Sequence, residues 1–542
     1  MLKTPSAPLS RLNRLLKRLP SSCSAHQQTT TTTSTTTTST TTRIMTTDAT
    51  LPTAPTPAFP TRPTGHLQKP MLASQRAADA AAQSPNADPA TKNPAAMAYF
   101  PLGYKDAVSQ WWTSVSSRQA ERDVLSFIPF LKEANTEAAQ SLNELAKTDP
   151  FGQRVWRTSM VQLSGKGRAL NELSIQRVGE QADNTLVMLH GYGAGLGFFY
   201  KNFEPLSRLK GWQLYALDML GMGNSARPNF KVTATDPKEK IKEAEAWFVD
   251  SLEEWRRARQ IEKFTLMGHS LGGYLAVSYA IKYPGHLNKL ILASPVGIPE
   301  DPWAVNDALP EPTASTMENE FTQDQESITR ATAPTAPSVP PKKSPAAPDT
   351  PPKRPLPGWL VWLWDANVSP FSIVRLAGPL GPRFVSGWTS RRFNHLPPAE
   401  KDALHSYAYS LFRQRGSGEY ALPYLLAPGA YARSPVINRI ADVGRQEGES
   451  GVPVVFMYGE HDWMDVAGGY AAEERIKRRM ERAVVEGTEQ ERRREGGGAK
   501  VLIVRRAGHH LYLDNPGEFN EMVTREMEET AAEEKRRARL GL

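Results

Sequence analysis

The sequence predicts an α/β protein: a mostly parallel central sheet, helices on both faces and an inserted cap. Three observations lead there. First, apolar runs recur at Thr185-Leu186-Val187-Met188-Leu189, Phe264-Thr265-Leu266-Met267, Val454-Val455-Phe456-Met457 and Val501-Leu502-Ile503-Val504. Unbroken apolar runs of this length read as parallel strands buried on both faces. Second, each run ends in a turn that contains glycine or charge, and the second is followed by the helix-forming stretch Tyr274 to Ala280. Third, residues able to do chemistry cluster at the carboxyl ends of these runs.

The run at 264–267 leads into Gly268-His269-Ser270-Leu271-Gly272. Gly-x-Ser-x-Gly between a strand and a helix is the pattern of a nucleophile elbow. The turn is so tight that glycine is needed at the flanking positions, and the strained serine lifts Oγ clear of the sheet. The run at 185–189 ends in His190-Gly191-Tyr192-Gly193, a loop able to aim a backbone N–H at a developing oxyanion. Tyr192 N–H and Leu271 N–H are the expected pair of donors, each contributing on the order of 3 kcal/mol. The run at 454–457 leads to Asp462, the expected acid, with Asp465 second; an isolated Asp after a strand can equally be a helix N-cap. The last run leads to Gly508-His509-His510, and His509 is the expected general base ahead of His510. The order Ser270, Asp462, His509 is that of α/β-hydrolases rather than of chymotrypsin or subtilisin.

These roles predict covalent catalysis. His509 takes the proton of Ser270 as Oγ attacks an ester carbonyl, Asp462 holds the imidazole tautomer, and an acyl-Ser270 intermediate forms. Water completes hydrolysis; an alcohol completes acyl transfer. No cofactor and no metal are expected, since no histidine pair has ligand spacing such as His-Glu-x-x-His.

The chain of 542 residues exceeds the single domain of about 250 that such a core needs. Residues 1–47 hold Lys3, Arg11, Arg14, Lys17, Arg18 and Arg43 but no acid, and Leu9, Leu12, Leu15, Leu16 and Leu19 recur at helical spacing. A basic, acid-free, hydroxyl-rich start reads as a mitochondrial transit peptide, against the plainer reading of a disordered tail. A start at Met45 would remove it and leave a cytosolic or lipid-droplet form. A disordered linker is expected over 48–98 and a helical segment over 99–150. The core then splits into 151–298 and 431–525 around a cap insertion at 299–430, whose stretch 308–357, rich in Pro, Ser, Thr and Ala, is expected to be disordered. The Arg-rich stretch Arg478 to Arg494, running to Gly498, reads as an insertion, and 526–542 as a charged, solvated C-terminal helix.

Cys23 is the sole cysteine, so no intramolecular disulfide forms. The net charge of +8 gives mild attraction to anionic surfaces, and the basic stretch lacks the interleaved aromatics of a nucleic-acid binder. No apolar run reaches the 18 or so residues of a membrane span. Trp111, Trp112, Trp359 and Trp362 are instead candidates for contact with a membrane or substrate, or for packing in the cap.

Five stretches resemble one branch of α/β-hydrolases, over roughly residues 100 to 525. They are Leu189 to Gly197, Ala216 to Ser225, Phe248 to Trp255, the elbow, and Gly508 to Pro516. The branch holds N-acyl-phosphatidylethanolamine lipase, a lipid-droplet coactivator and a fungal mitochondrial cardiolipin-specific deacylase. The resemblance implies a mitochondrial serine phospholipase acting on cardiolipin or a related glycerophospholipid at a membrane surface. His509 and Asp514 also fit the branch's His-x-x-x-x-Asp pattern, which implies, as an alternative, a lysophosphatidic acid acyltransferase with acyl-CoA as co-substrate. The coactivator carries Asn at the nucleophile position; Ser270 here favours catalysis over a non-catalytic lipid-surface scaffold.

Overall fold

Valine-, leucine- and isoleucine-rich runs pair into the sheet because each can bury both of its faces. The computed structural model describes residues 101–113, 115–134, 149–300, 369–427, 431–447 and 449–540. The expected transit peptide, the linker, the 308–357 stretch, Trp359 and Trp362 lie outside these residues.

In chain order the elements are α1 (Tyr104–Thr113), α2 (Ser117–Leu125), β1 (Lys132–Glu133), β2 (Arg154–Gln162), β3 (Ala169–Arg177), β4 (Asn184–Leu189), α3 (Tyr200–Leu206) and β5 (Trp212–Leu217). Then come α4 (Pro237–Ala258), β6 (Phe264–His269), α5 (Leu271–Lys282) and β7 (Leu287–Ala293). Between β7 and β8 stand the cap helices α6 (Pro370–Leu376), α7 (Gly381–Phe393), α8 (Pro398–Phe412) and α9 (Leu422–Leu425). The chain closes with β8 (Val454–Gly459), α10 (Val466–Glu486), α11 (Glu489–Arg494), β9 (Ala499–Val504), α12 (Leu511–Asp514) and α13 (Pro516–Leu540).

The strands form one sheet in the order β1-β2-β3-β5-β4-β6-β7-β8-β9. From β5 to β9 all neighbours are parallel, while β3 pairs antiparallel with both β2 and β5. Alternation along each strand divides two cores. Leu186, Met188, Val455 and Met457 pack on one face with Phe203, Phe519, Val523 and the cap. Val187, Leu189, Val454 and Phe456 pack on the other with Trp255, Tyr279 and Ile476. Among the described residues no helix is long and apolar enough to cross a membrane.

Three expectations change. The terminal helix begins at Pro516, not at Glu526. Its first turns bury Phe519, Val523 and Met527, and Glu526 itself is buried against Lys289 at 2.8 Å. The Arg-rich stretch is not an insertion: most of it is α10, the crossover between β8 and β9, followed by α11. Arg479 there is held by Asp442 and Glu495. The segment 99–150 is not wholly helical, since Lys132–Glu133 adds an edge strand to β2.

Candidate active site

The ends of four neighbouring parallel strands, β4, β6, β7 and β8, converge on one spot. β6 delivers Ser270 with φ +51° and ψ −115°, outside the conformations L-residues prefer. Two glycines allow the turn: a Cβ on Gly268 would meet Gly272 O at 2.3 Å, and one on Gly272 would meet His190 O at 2.7 Å. Ser270 N–H donates to Ala293 O at 3.0 Å, which ties the elbow to β7. Leu271 N–H stands in the first turn of α5, where backbone donors have no helical partner.

β8 delivers Asp462. Its Oδ1 accepts from Met464 N at 3.0 Å and lies 3.3 Å from His509 Nδ1. Asp465, the second candidate, is instead the N-cap of α10 and accepts from Ala467 N at 3.0 Å. His509 follows β9 and is buried, with the Trp463 ring centroid 4.8 Å from its own. His269, inside the elbow, donates Nε2–H to His509 O at 2.9 Å and so fixes the histidine loop to the serine turn. Burial, first of all, holds His269 and His510 well below the ordinary histidine range, so both stay neutral; the nearby Arg392 charge acts the same way on both.

Sequence reasoning missed Ser294. It ends β7 at φ +47°, its Oγ lies 2.7 Å from His509 Nδ1, and its hydroxyl donates to Asp462 Oδ2. The available signal was a hydroxyl residue directly after the apolar run of β7, in Ala293-Ser294-Pro295.

Ser270 and His509 line one cavity, together with Gly191, Tyr192, Leu271 and His510. The cap supplies the opposite wall through Phe371, Trp388 and Phe412. Tyr192 stacks on Phe371 at 5.1 Å, and Phe371 on Phe412 at 4.4 Å. Among the described residues no Lys, Arg, Asp or Glu lines this cavity. The β4 loop is set from beneath: buried, neutral His190 accepts from Met219 N at 3.1 Å, so its Nδ1–H donates to Gly191 O at 2.7 Å.

Asp514 does not reach the cavity wall. Its Oδ2 accepts from Gly508 N at 2.9 Å and lies 3.6 Å from the Arg392 guanidinium of α7, with both side chains buried. A second polar cluster joins α2, the core and the cap. Asp218 accepts from Leu196 N and Asn224 N, both at 2.7 Å, and Glu121 accepts from Asn171, Asn224 and Tyr407. Burial, with the Asp218 charge second, pushes the Glu121 carboxyl up to about 8.

Comparison with known proteins now decides the family. Residues 184–345 match the family model described as the alpha/beta hydrolase fold. Over 411 residues the chain is 31% identical to a probable 1-acylglycerol-3-phosphate O-acyltransferase of Oryza sativa subsp. japonica, covering 74% of this chain and 79% of that protein. The chain belongs to the α/β-hydrolase family. Within it, the chain's relatives are lipid-metabolising proteins. The (lyso)-N-acylphosphatidylethanolamine lipase of Homo sapiens is 30% identical over 350 residues, 64% of this chain and 79% of that one. The 1-acylglycerol-3-phosphate O-acyltransferase ABHD5 of Rattus norvegicus is 31% identical over 345 residues, 62% of this chain and 75% of that one.

Proposed function

We propose that this α/β-hydrolase is a serine phospholipase that deacylates cardiolipin or a related glycerophospholipid inside mitochondria. One observation carries the reading: Ser270, on a strained turn, shares an apolar cavity with a histidine held by Asp462. Ser270 is the nucleophile, His509 the base, and Tyr192 N–H and Leu271 N–H the oxyanion donors. An uncharged aromatic cavity suits an acyl tail and excludes a phosphate, so the head group stays at the mouth.

Membrane contact has its own support. α1 packs against the cap segment 378–393, and Tyr104, Trp111 and Trp112 of α1 and Ile373, Leu376 and Phe384 of the cap are all exposed. Trp112 is 80% and Leu376 87% exposed. Pro370–Phe393 carries no acid, and of its four arginines Arg383 and Arg391 keep partial exposure while Arg392 is buried on Asp514 and Arg375 is paired with Glu419; the part-exposed pair suits an anionic lipid surface. The basic, acid-free first 47 residues support mitochondrial import.

The second reading is acyl transfer from acyl-CoA to lysophosphatidic acid, favoured by the names of two relatives. The burial of Asp514 against Arg392 weighs against a direct chemical part for that carboxylate. The test incubates the protein with cardiolipin vesicles, and separately with lysophosphatidic acid and acyl-CoA, with Ser270→Ala alongside. Monolysocardiolipin formed only with Ser270 intact supports the phospholipase. Phosphatidic acid without monolysocardiolipin moves the protein to acyl transfer, and neither product leaves a lipid-surface scaffold.

A further inference from the structure

We infer that Ser294 is a positioning residue that fixes the tautomer of His509 and shares with Asp462 the load of holding it. The inference rests on the triad reading above. An ionised carboxylate can only accept, and a serine hydroxyl has one proton to give. Ser294 Oγ contacts both Asp462 Oδ2 and His509 Nδ1. Its proton goes to Asp462, so its lone pair must accept from Nδ1–H. The hydrogen on His509 therefore sits on Nδ1, and Nε2 carries the lone pair a general base needs.

Distances say which partner grips harder. Ser294 Oγ is 2.7 Å from Nδ1, whereas Asp462 Oδ1 is 3.3 Å away, at the long end for a hydrogen bond, and is shared with Met464 N–H. The hydroxyl is itself held tightly. Ser294 N–H donates to Met457 O at 2.6 Å, so β8 anchors the backbone of the residue that meets the acid following β8. Ser294 keeps φ +47°, a conformation strained for a non-glycine residue that persists only where the surroundings enforce it.

Geometry adds a consequence. Ser294 and Asp462 approach the same nitrogen from the ends of adjacent strands, β7 and β8. A carboxylate at position 294 would stand where the hydroxyl now touches Nδ1. The acid of the triad can therefore be moved from one strand to its neighbour.

The readout is the rate at which a fluorophosphonate probe labels Ser270 in the full-length protein, followed across pH. It reports nucleophile activation without a known substrate. Ser294→Ala and Ser294→Gly should each slow labelling about tenfold, the order of one lost hydrogen bond. Each should also move the rising limb of the pH profile to lower pH, because an imidazolium that loses an acceptor is a stronger acid. Glycine is free of strain at this φ, so equal losses in both variants trace the effect to the hydroxyl rather than to the turn. Asp462→Asn should slow labelling by about 10⁴, and adding Ser294→Asp should recover at least tenfold of that loss. Unchanged rate and pH profile in folded Ser294→Ala and Ser294→Gly would overturn the inference, as would no recovery in the relocated-acid variant. Labelling that survives Ser270→Ala would instead overturn the triad reading itself.

Discussion

The two walls of the cavity are built on opposite plans. The core wall consists of strand ends, and its parts are polar, hydrogen-bonded and strained: Ser270 and Ser294 both have positive φ, and Asp462, Ser294 and His509 form a closed set of contacts. The cap wall consists of short helices, and its parts are aromatic and stacked, with Phe371, Phe412 and Trp388 offering no charge. A sheet edge can hold atoms to within tenths of an ångström because neighbouring strands fix one another, whereas packed rings can be exchanged for others of similar volume. Chemistry therefore belongs to the first wall and selection to the second.

The sharpest way to break this division is at the core wall. Ser270→Ala or His509→Ala should lower acyl release by about 10⁴ or more while leaving far-UV circular dichroism unchanged. Residual activity near wild type would remove the core wall from the chemistry. Next is the bolt between the walls. Arg392→Met leaves Asp514 buried without its 3.6 Å partner and should lower stability by about 3–5 kcal/mol, read from denaturant unfolding. A smaller effect is expected outside the cap: Trp112→Ser with Leu376→Ser should weaken binding to cardiolipin vesicles about tenfold, by sedimentation, and leave turnover of a water-soluble ester alone. On the inner cap face, Phe371→Ala should raise KM for long-chain esters a few-fold with little change in kcat.

The smallest effect lies at the seam where α2, core and cap meet. Folded Glu121 holds its proton up to about 8, against 4.5 in the unfolded chain. A carboxyl raised on folding contributes stability that is fully present below about 4.5 and is lost as pH rises through about 8. Glu121→Gln should flatten that slope, seen as a smaller fall in Tm between about pH 5 and about pH 8.5 than in the unaltered protein.

How much of this was legible in the sequence depended on how local the signal was. β4, β6, β8 and β9 announce themselves as apolar runs, and Gly268 and Gly272 mark the elbow because no other residue fits there. Asp462 lies 3.3 Å from His509 Nδ1, whereas Asp465 is occupied as a helix cap, a distinction that neither residue's local sequence carries. Ser294 could not be weighed, because its proximity to His509 spans 215 positions and arises only when β7, β8 and the last loop align. The start of α13 was misplaced for a similar reason. Charge dominates after Glu526, yet Phe519, Val523 and Met527 already follow a helical period that needs a partner face to be recognised. Arg478 to Arg494 looked like an excursion because arginines seldom mark a core crossover; here Ile476 and Ala472 supply the buried stripe.

The uncharged lining of the cavity bears on how the catalytic cycle ends. A neutral ester enters at little electrostatic cost, but hydrolysis turns the acyl group into a carboxylate. With no Lys or Arg among the described residues that line the cavity, an ionised fatty acid there is strongly disfavoured. Under the proposed deacylation the product is therefore one that its own site rejects, which drives its expulsion toward water or a lipid surface.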